Sequence, residues 1–167
     1  MRDPASKILA RDELVRALRV GAPDRVVLAN GLFDLLHVGH ARYLADARRA
    51  GDFLVVALND DASSRANKGP GRPLVPLEQR MLVVAALRSV DAVTWFGEPT
   101  LAETLRAIRP SVHAKGTDYR PESLPAPERA VHAELGIDVV IVGDPKNHAT
   151  RDLIEIVTRD RTDPDGR

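Results

Sequence analysis

The sequence predicts an α/β protein: a Rossmann-like, doubly wound, five-stranded parallel sheet with helices on both faces. Three observations predict it. Short runs rich in β-branched residues alternate with longer stretches of helical spacing. Two of the runs, Val26-Val27-Leu28 and Leu54-Val55-Val56, are unbroken apolar sequence, as strands buried on both faces require. Strand–helix–strand units repeated this way build a parallel sheet, and right-handed crossovers wind it in both directions.

The elements follow in order. A first helix over 12–20 places Leu14, Val15 and Leu18 together. Strands are expected at 25–29, 53–58, 92–96, 111–114 and 138–142. Helices are expected at 39–50, 77–90, 101–108 and 127–135, with a last one over 150–158 that groups Leu153, Ile154 and Val157. Pro76 and Pro99 suit first-turn positions, Pro110 follows a helix end, and Gly51 suits a C-terminal cap. Residues 1–158 read as one domain, and the polar tail 159–167, with Pro164 and Gly166, is expected to be disordered.

Composition bounds the function. The chain has 167 residues, enough for one domain with a real core, and is 44% hydrophobic and 29% charged, as soluble globular proteins are. A formal net charge of zero argues against a general nucleic-acid binder, whose affinity comes from a basic surface. A small polyanion held by a few local charges stays compatible. The absence of cysteine excludes disulfides and thiolate metal sites. No apolar run approaches the roughly 20 residues that span a bilayer. The first ten residues are too polar for a signal peptide. A cytoplasmic enzyme without membrane association is the expectation.

In such a sheet, ligands bind beyond the carboxyl ends of strands where strand order reverses. The first strand ends near Ala29, so 30–37 forms the loop there and 39–50 the helix after it. Gly31 lets the chain turn and a ligand approach the backbone. Gly39, lacking a side chain, lets a phosphate come close to the helix start, whose free N–H groups attract anions. His37 and His40 are three apart and face one side of the first turn. Two imidazole donors beside backbone donors make a cradle for charge developing on phosphorus. Two other readings stand beside this one. The histidines can be ordinary surface or capping residues, or a metal site in which Asp34 is the only nearby third ligand.

The segment Gly31-Leu32-Phe33-Asp34-Leu35-Leu36-His37-Val38-Gly39-His40 resembles the first signature of the cytidylyltransferase-like nucleotidyltransferases, a superfamily that shares its His-x-Gly-His element with class I aminoacyl-tRNA synthetases. Four further blocks resemble the heptose 1-phosphate adenylyltransferases: Asn59-Asp60-Asp61-Ala62-Ser63, Lys68-Gly69-Pro70-Gly71-Arg72-Pro73, Glu78-Gln79-Arg80-Met81 and Lys115-Gly116-Thr117-Asp118-Tyr119. The likeness runs from about Val26 to Val157. The first block is specific for the superfamily. The pairing of the blocks at 68–73 and 115–119 points to the heptose branch and is less specific.

The resemblance implies attack by a sugar phosphate oxygen, already ionised near neutral pH, on the α-phosphorus of ATP, with release of pyrophosphate. The substrate it implies is D-glycero-D-manno-heptose 1-phosphate and the product ADP-heptose, a precursor of lipopolysaccharide core. No general base is needed, and catalysis reduces to alignment and charge stabilisation. His37, His40 and Lys68 take the catalytic roles it implies, with Lys68 on a glycine-rich loop that closes over phosphate. Asn30, Gly31, Leu32, Phe33 and Gly39 would line the nucleotide. Arg80 would reach pyrophosphate, with a surface ion pair to Glu78 or Asp91 as its alternative. Lys115, Gly116 and Asp118 would read the base. Asp34, Asp61 and Arg72 would meet the sugar phosphate, with a helix cap as the alternative for Asp61. Trp95 and Phe96 read as core or dimer contacts. Magnesium is expected with the triphosphate, mostly on phosphate and water rather than in a carboxylate cage. The family suggests a homodimer, and the length suggests a stand-alone enzyme without the kinase fused in some relatives.

One block departs from the pattern. The family carries a Ser-Thr-Thr-like sequence at the start of its last helix, where this chain has His148-Ala149-Thr150-Arg151-Asp152. Thr150 keeps one hydroxyl, and Arg151 can replace a lost hydroxyl contact with a charged one to the triphosphate. Alternatives are a nucleotidyltransferase for another phosphate (glycerol 3-phosphate with CTP, GDP-heptose formation, or a flavin) and a nucleotide-binding module without turnover.

Overall fold

The computed structural model describes residues 3–21 and 23–143. The strands are β1 (Val26–Gly31), β2 (Phe53–Asn59), β3 (Ala92–Phe96), β4 (Val112–Gly116) and β5 (Asp138–Val142). They pair in the order β3-β2-β1-β4-β5, and every pairing is parallel. The chain grows outward from β1 through β2 to β3, then crosses back to β4 and on to β5. Strand order therefore reverses between β1 and β4, and the crevice beyond their carboxyl ends is where such folds bind ligands.

Among the described residues six α-helices cover the sheet: α1 (Arg11–Val20), α2 (Val38–Arg49), α3 (Asp61–Lys68), α4 (Leu77–Ala85), α5 (Ala102–Ile108) and α6 (Ala126–Leu135). Alternate strand residues feed two cores. Val27, Ala29, Leu54, Val56 and Leu58 pack with Leu44 and Ala47 of α2 and Met81, Val84 and Ala85 of α4. Leu28, Val55 and Ala57 pack on the other face with Leu14 of α1, Leu105 and Ile108 of α5, and Val131 of α6. The unbroken apolar runs of β1 and β2 thus serve both faces at once.

Most elements lie within a residue or two of where the sequence predicts them. Helix α3 is not among the expected elements, since 61–68 carries no apolar stripe. Its start is set locally: Asp60 caps it, with Oδ1 accepting from the Ser63 N–H at 2.7 Å. The expected helix 77–90 ends at Ala85. Pro76 is the N-cap of α4 rather than a first-turn residue, and Pro99 precedes the Leu101 cap of α5. Gly51 follows the Ala50 cap of α2; its reason to be glycine is space, because a Cβ there would lie 2.3 Å from the Arg25 carbonyl oxygen. The expected helix 150–158 and tail 159–167 lie outside the described residues.

Ahead of α1 the chain runs beside the outer strand β3. Ile8 bridges Val93 in parallel, the Leu9 N–H donates to the Val93 carbonyl at 2.9 Å, and Lys7 Nζ donates to the Val90 carbonyl at 2.7 Å.

Candidate active site

The loop between β1 and α2 turns sharply because of its sequence. A Cβ on Gly31 would lie 3.0 Å from the Phe33 ring, so the glycine lets that ring fold back beneath the loop. Phe33 is buried and holds a left-handed φ of 51°, an uncommon backbone state for a bulky residue. Its ring meets His40 at a centroid distance of 5.1 Å. His37 is the N-cap of α2, and Gly39 and His40 lie in the first turn. The imidazoles of His37 and His40 stack at 3.9 Å with an interplanar angle of 28°. The two histidines, the glycine between them and a helix N-terminus thus converge beyond the carboxyl end of β1, in an arrangement suited to an anion.

On the α4 side of β1 a charged brace fixes the surrounding loops. Arg80 is 2% exposed. Its Nη1 donates to the carbonyls of Leu32 (2.7 Å) and Asn59 (3.0 Å), its Nε to that of Val75 (2.8 Å), and its Nη2 to Asp61 Oδ1 (2.7 Å). One guanidinium therefore ties the ends of β1 and β2 to the segment leading into α4. This corrects the expected reach of Arg80 to pyrophosphate and its surface pairing with Glu78 or Asp91. Asp91 instead pairs with Arg48 at 2.8 Å.

Asp34 is buried, with one oxygen on Arg72 Nη1 (2.7 Å) and the other accepting from the backbone N–H groups of Leu74 (2.7 Å) and Val75 (2.9 Å). Its carboxylate is engaged in holding this loop rather than turned to a substrate. Asp61 accepts from the Leu77 N–H at 3.0 Å as well as from Arg80, so it braces α4 and does not cap α3. The side chains of Asp61 and Arg72 stay about a third and a quarter exposed, and each keeps an open side. Lys68 is exposed and closes α3 rather than standing on the loop; Gly69 after it takes a φ of 97°.

On the α6 side the carboxyl ends of β1 and β4 meet through side chains. Lys115 and Gly116 lie on β4 itself, two residues past the expected strand end. Lys115 is buried; its Nζ donates to Asn30 Oδ1 at 3.1 Å and sits 4.3 Å from the centre of the Tyr119 ring. Burial lowers its pKa, while the charges of Glu128 and Asp118 oppose that shift. Gly116 leaves room for Asp118, whose Oδ1 would lie 2.9 Å from a Cβ there. The Tyr43 hydroxyl donates to the Ala114 carbonyl at 2.8 Å, and burial pushes its pKa up, so it stays a donor.

Two histidines that sequence reasoning missed complete this side. His113 on β4 places Nε2 3.1 Å from Asn30 Oδ1 and Nδ1 2.9 Å from Nε2 of His132 on α6. Desolvation lowers both pKa values, that of His113 well below the ordinary 6.5. A histidine inside an apolar strand run is the one signal that hints at this. Of the other expected residues, Trp95 is 38% exposed and Phe96 is core. Thr150 and Arg151 lie outside the described residues. Among the described residues no three His, Asp or Glu side chains are grouped to hold a metal ion, and no helix is long and apolar enough to cross a membrane.

Comparison with known proteins agrees with this geometry. Residues 28–161 match the model of the cytidylyltransferase-like family. The bifunctional protein HldE of Edwardsiella ictaluri is 40% identical over 163 residues, covering 96% of this chain and 34% of that protein. HldE of Alkalilimnicola ehrlichii is 50% identical over 119 residues, covering 70% of this chain and 25% of that protein. The chain thus spans about a third or less of the length of these relatives. Among solved structures, a lipopolysaccharide core biosynthesis protein from Thermoplasma volcanium superposes with a TM-score of 0.62 at 24% identity, over 73% of this chain and 98% of that one, and shares the fold. The chain belongs to the cytidylyltransferase-like family of nucleotidyltransferases.

Proposed function

We propose that the chain transfers the adenylyl group of ATP to a sugar 1-phosphate, with D-glycero-D-manno-heptose 1-phosphate as substrate and ADP-heptose as product. The observation that carries this reading is the stacked His37–His40 pair at the N-terminus of α2, in the crevice where strand order reverses. Similarity to the HldE proteins and the blocks at 68–73 and 115–119 support the heptose branch.

In the proposed reaction a phosphate oxygen of the sugar attacks the α-phosphorus. A new P–O bond forms as the bond to the β-phosphate oxygen breaks, and pyrophosphate leaves. The nucleophile arrives ionised, so the histidines need not move a proton. They act as fixed donors to the transition-state oxygens, aided by the start of α2. The exposed Lys68 supplies positive charge to the phosphates, and Gly116 and Asp118 face the base, while Lys115, expected there too, is instead held on Asn30. Magnesium enters as part of the nucleotide substrate, held by phosphate and water.

A panel of nucleoside triphosphates against sugar and polyol phosphates, read by pyrophosphate release, tests this. Release with ATP and the heptose 1-phosphate is the expected result. Release only with another pair, such as CTP and glycerol 3-phosphate, replaces the substrate assignment. Nucleotide binding with release from no pair overturns the reaction. His40→Ala is expected to lower kcat by roughly 10²-fold or more with ATP affinity little changed, because its contact is made in the transition state. Equal turnover in that variant would remove the proposed role of His40.

A further inference from the structure

Nucleotidyl transfer as described makes no use of His113 and His132, yet both are buried directly behind the crevice. Their proton positions follow from one fixed point. The Lys115 ammonium only donates, so the Asn30 atom 3.1 Å from it is the carboxamide oxygen. That oxygen has two lone pairs, and the second faces His113 Nε2 at 3.1 Å. His113 therefore carries its hydrogen on Nε2, and as a neutral ring it has a lone pair on Nδ1. His132 Nε2, 2.9 Å from that lone pair, must then carry a hydrogen as well. Each step follows from the one before, from a lysine through an amide to two imidazoles.

The charges around the pair fit this order. Burial and, on β4, the charge of Lys115 disfavour protonation of either ring; on α6, Glu128 offsets the burial of Lys115 and keeps it a donor, and it opposes but does not reverse the downward shift of His132. Glu128 lies one turn before His132, and its Oε1 accepts from the Leu101 N–H of the segment entering α5 at 3.1 Å. Turning the Asn30 amide over would set its N–H groups against an ammonium and an imidazole N–H, losing two hydrogen bonds together.

We propose that His113 and His132 are positioning residues that lock the Asn30 carboxamide, leaving its Nδ2 amino group as a fixed donor to a phosphate oxygen in the crevice beyond β1. This rests on the reading of that crevice as a triphosphate site. The lock sets which end of Asn30 a ligand meets, and neither imidazole touches the ligand.

The test is a double-mutant cycle on the full chain with Asn30→Ala, His113→Leu and both together, read by ATP affinity in calorimetry and by kcat and KM for pyrophosphate release. Each single change is expected to lower kcat/KM about tenfold, and the double to be no worse than Asn30→Ala alone, since His113 acts through Asn30. His113→Gln, whose amide can both donate to Asn30 and accept from His132, should recover most of the loss. Additive losses, or a Gln variant as poor as the Leu one, would overturn the lock. A second readout needs no turnover: nitrogen-15 NMR of the histidines should show both rings neutral with the hydrogen on Nε2, and an Nδ1–H form of His113 overturns the proposal. If the parent releases pyrophosphate from no substrate pair, the proposed reaction fails while affinity and NMR still judge the lock. A parent that binds no nucleoside triphosphate removes the donor role.

Discussion

Two buried polar assemblies flank β1, and they are built differently. On the α4 side the brace is charged: Arg80, Asp61, Asp34 and Arg72 hold three carbonyls and three backbone N–H groups among them. On the α6 side the buried Lys115 ammonium and two imidazoles kept neutral by burial act together on one amide side chain. The first determines where the loops run. The second, as proposed, determines which atom Asn30 presents at the end of β1. Charge suits the first task because a guanidinium satisfies several carbonyls at once. Neutral rings suit the second because a tautomer carries direction without the desolvation cost of an ion.

The contrast can be broken from its stronger side first. Arg80→Met leaves three carbonyls without their donor and Asp61 with only the Leu77 N–H, and is expected to cost about 3 kcal/mol or more in urea unfolding. A loss under about 1 kcal/mol would show that water replaces the guanidinium and that the brace is dispensable. His113→Leu should cost less, about 1–3 kcal/mol, since it strands one donor on His132. Adding His132→Leu should return part of that loss, because both partners are then gone; a further large drop would mean the rings matter as packing.

Acid sharpens the comparison further. Burial holds His113 and His132 neutral, so the folded chain protonates at a lower pH than the unfolded one. Above the ordinary 6.5 both states are neutral there and the pair costs nothing. As pH falls below 6.5 the unfolded chain takes protons first, so stability falls until the folded rings protonate too. The drop in Tm between pH 7 and 5 should therefore be smaller in the His113→Leu/His132→Leu variant than in the parent. Equal drops would place the acid sensitivity elsewhere. The smallest effect belongs to the glycines of the exposed turn after α3, ahead of Arg72. Gly69→Ala should cost about 1–2 kcal/mol through its backbone alone, φ 97° and ψ 176° being a region other residues avoid, and Gly71→Ala, with open space around it, within about 0.5 kcal/mol. Thermal unfolding of the two variants separates them.

These differences also explain what the sequence made legible. Strands such as 53–58 and helices such as 39–50 are read correctly because their apolar residues repeat at the spacing the core demands. Helix α3 is missed because its cap at Asp60, not a buried stripe, decides it. In the site, the segment from Gly31 to His40 is readable because all its parts are contiguous. Arg80 is misread because an arginine on a helix looks like a surface residue; only the carbonyls of Leu32 and Asn59, far away in sequence, bring it inside. His113 and His132 are missed for the same reason, as nothing local ties a strand residue to a ring on the helix that follows.

The strip of chain before α1 has a consequence of a different kind. An outermost strand offers unmatched amides and carbonyls, a template on which neighbouring molecules can assemble. Here Ile8 and Leu9 already occupy part of that template on β3. The residues ahead of α1 thereby shield part of this edge from a neighbouring molecule. A change that lifts Ile8 and Leu9 from Val93 reopens that template to neighbouring molecules and invites clouding, even where the chemistry of the crevice is untouched.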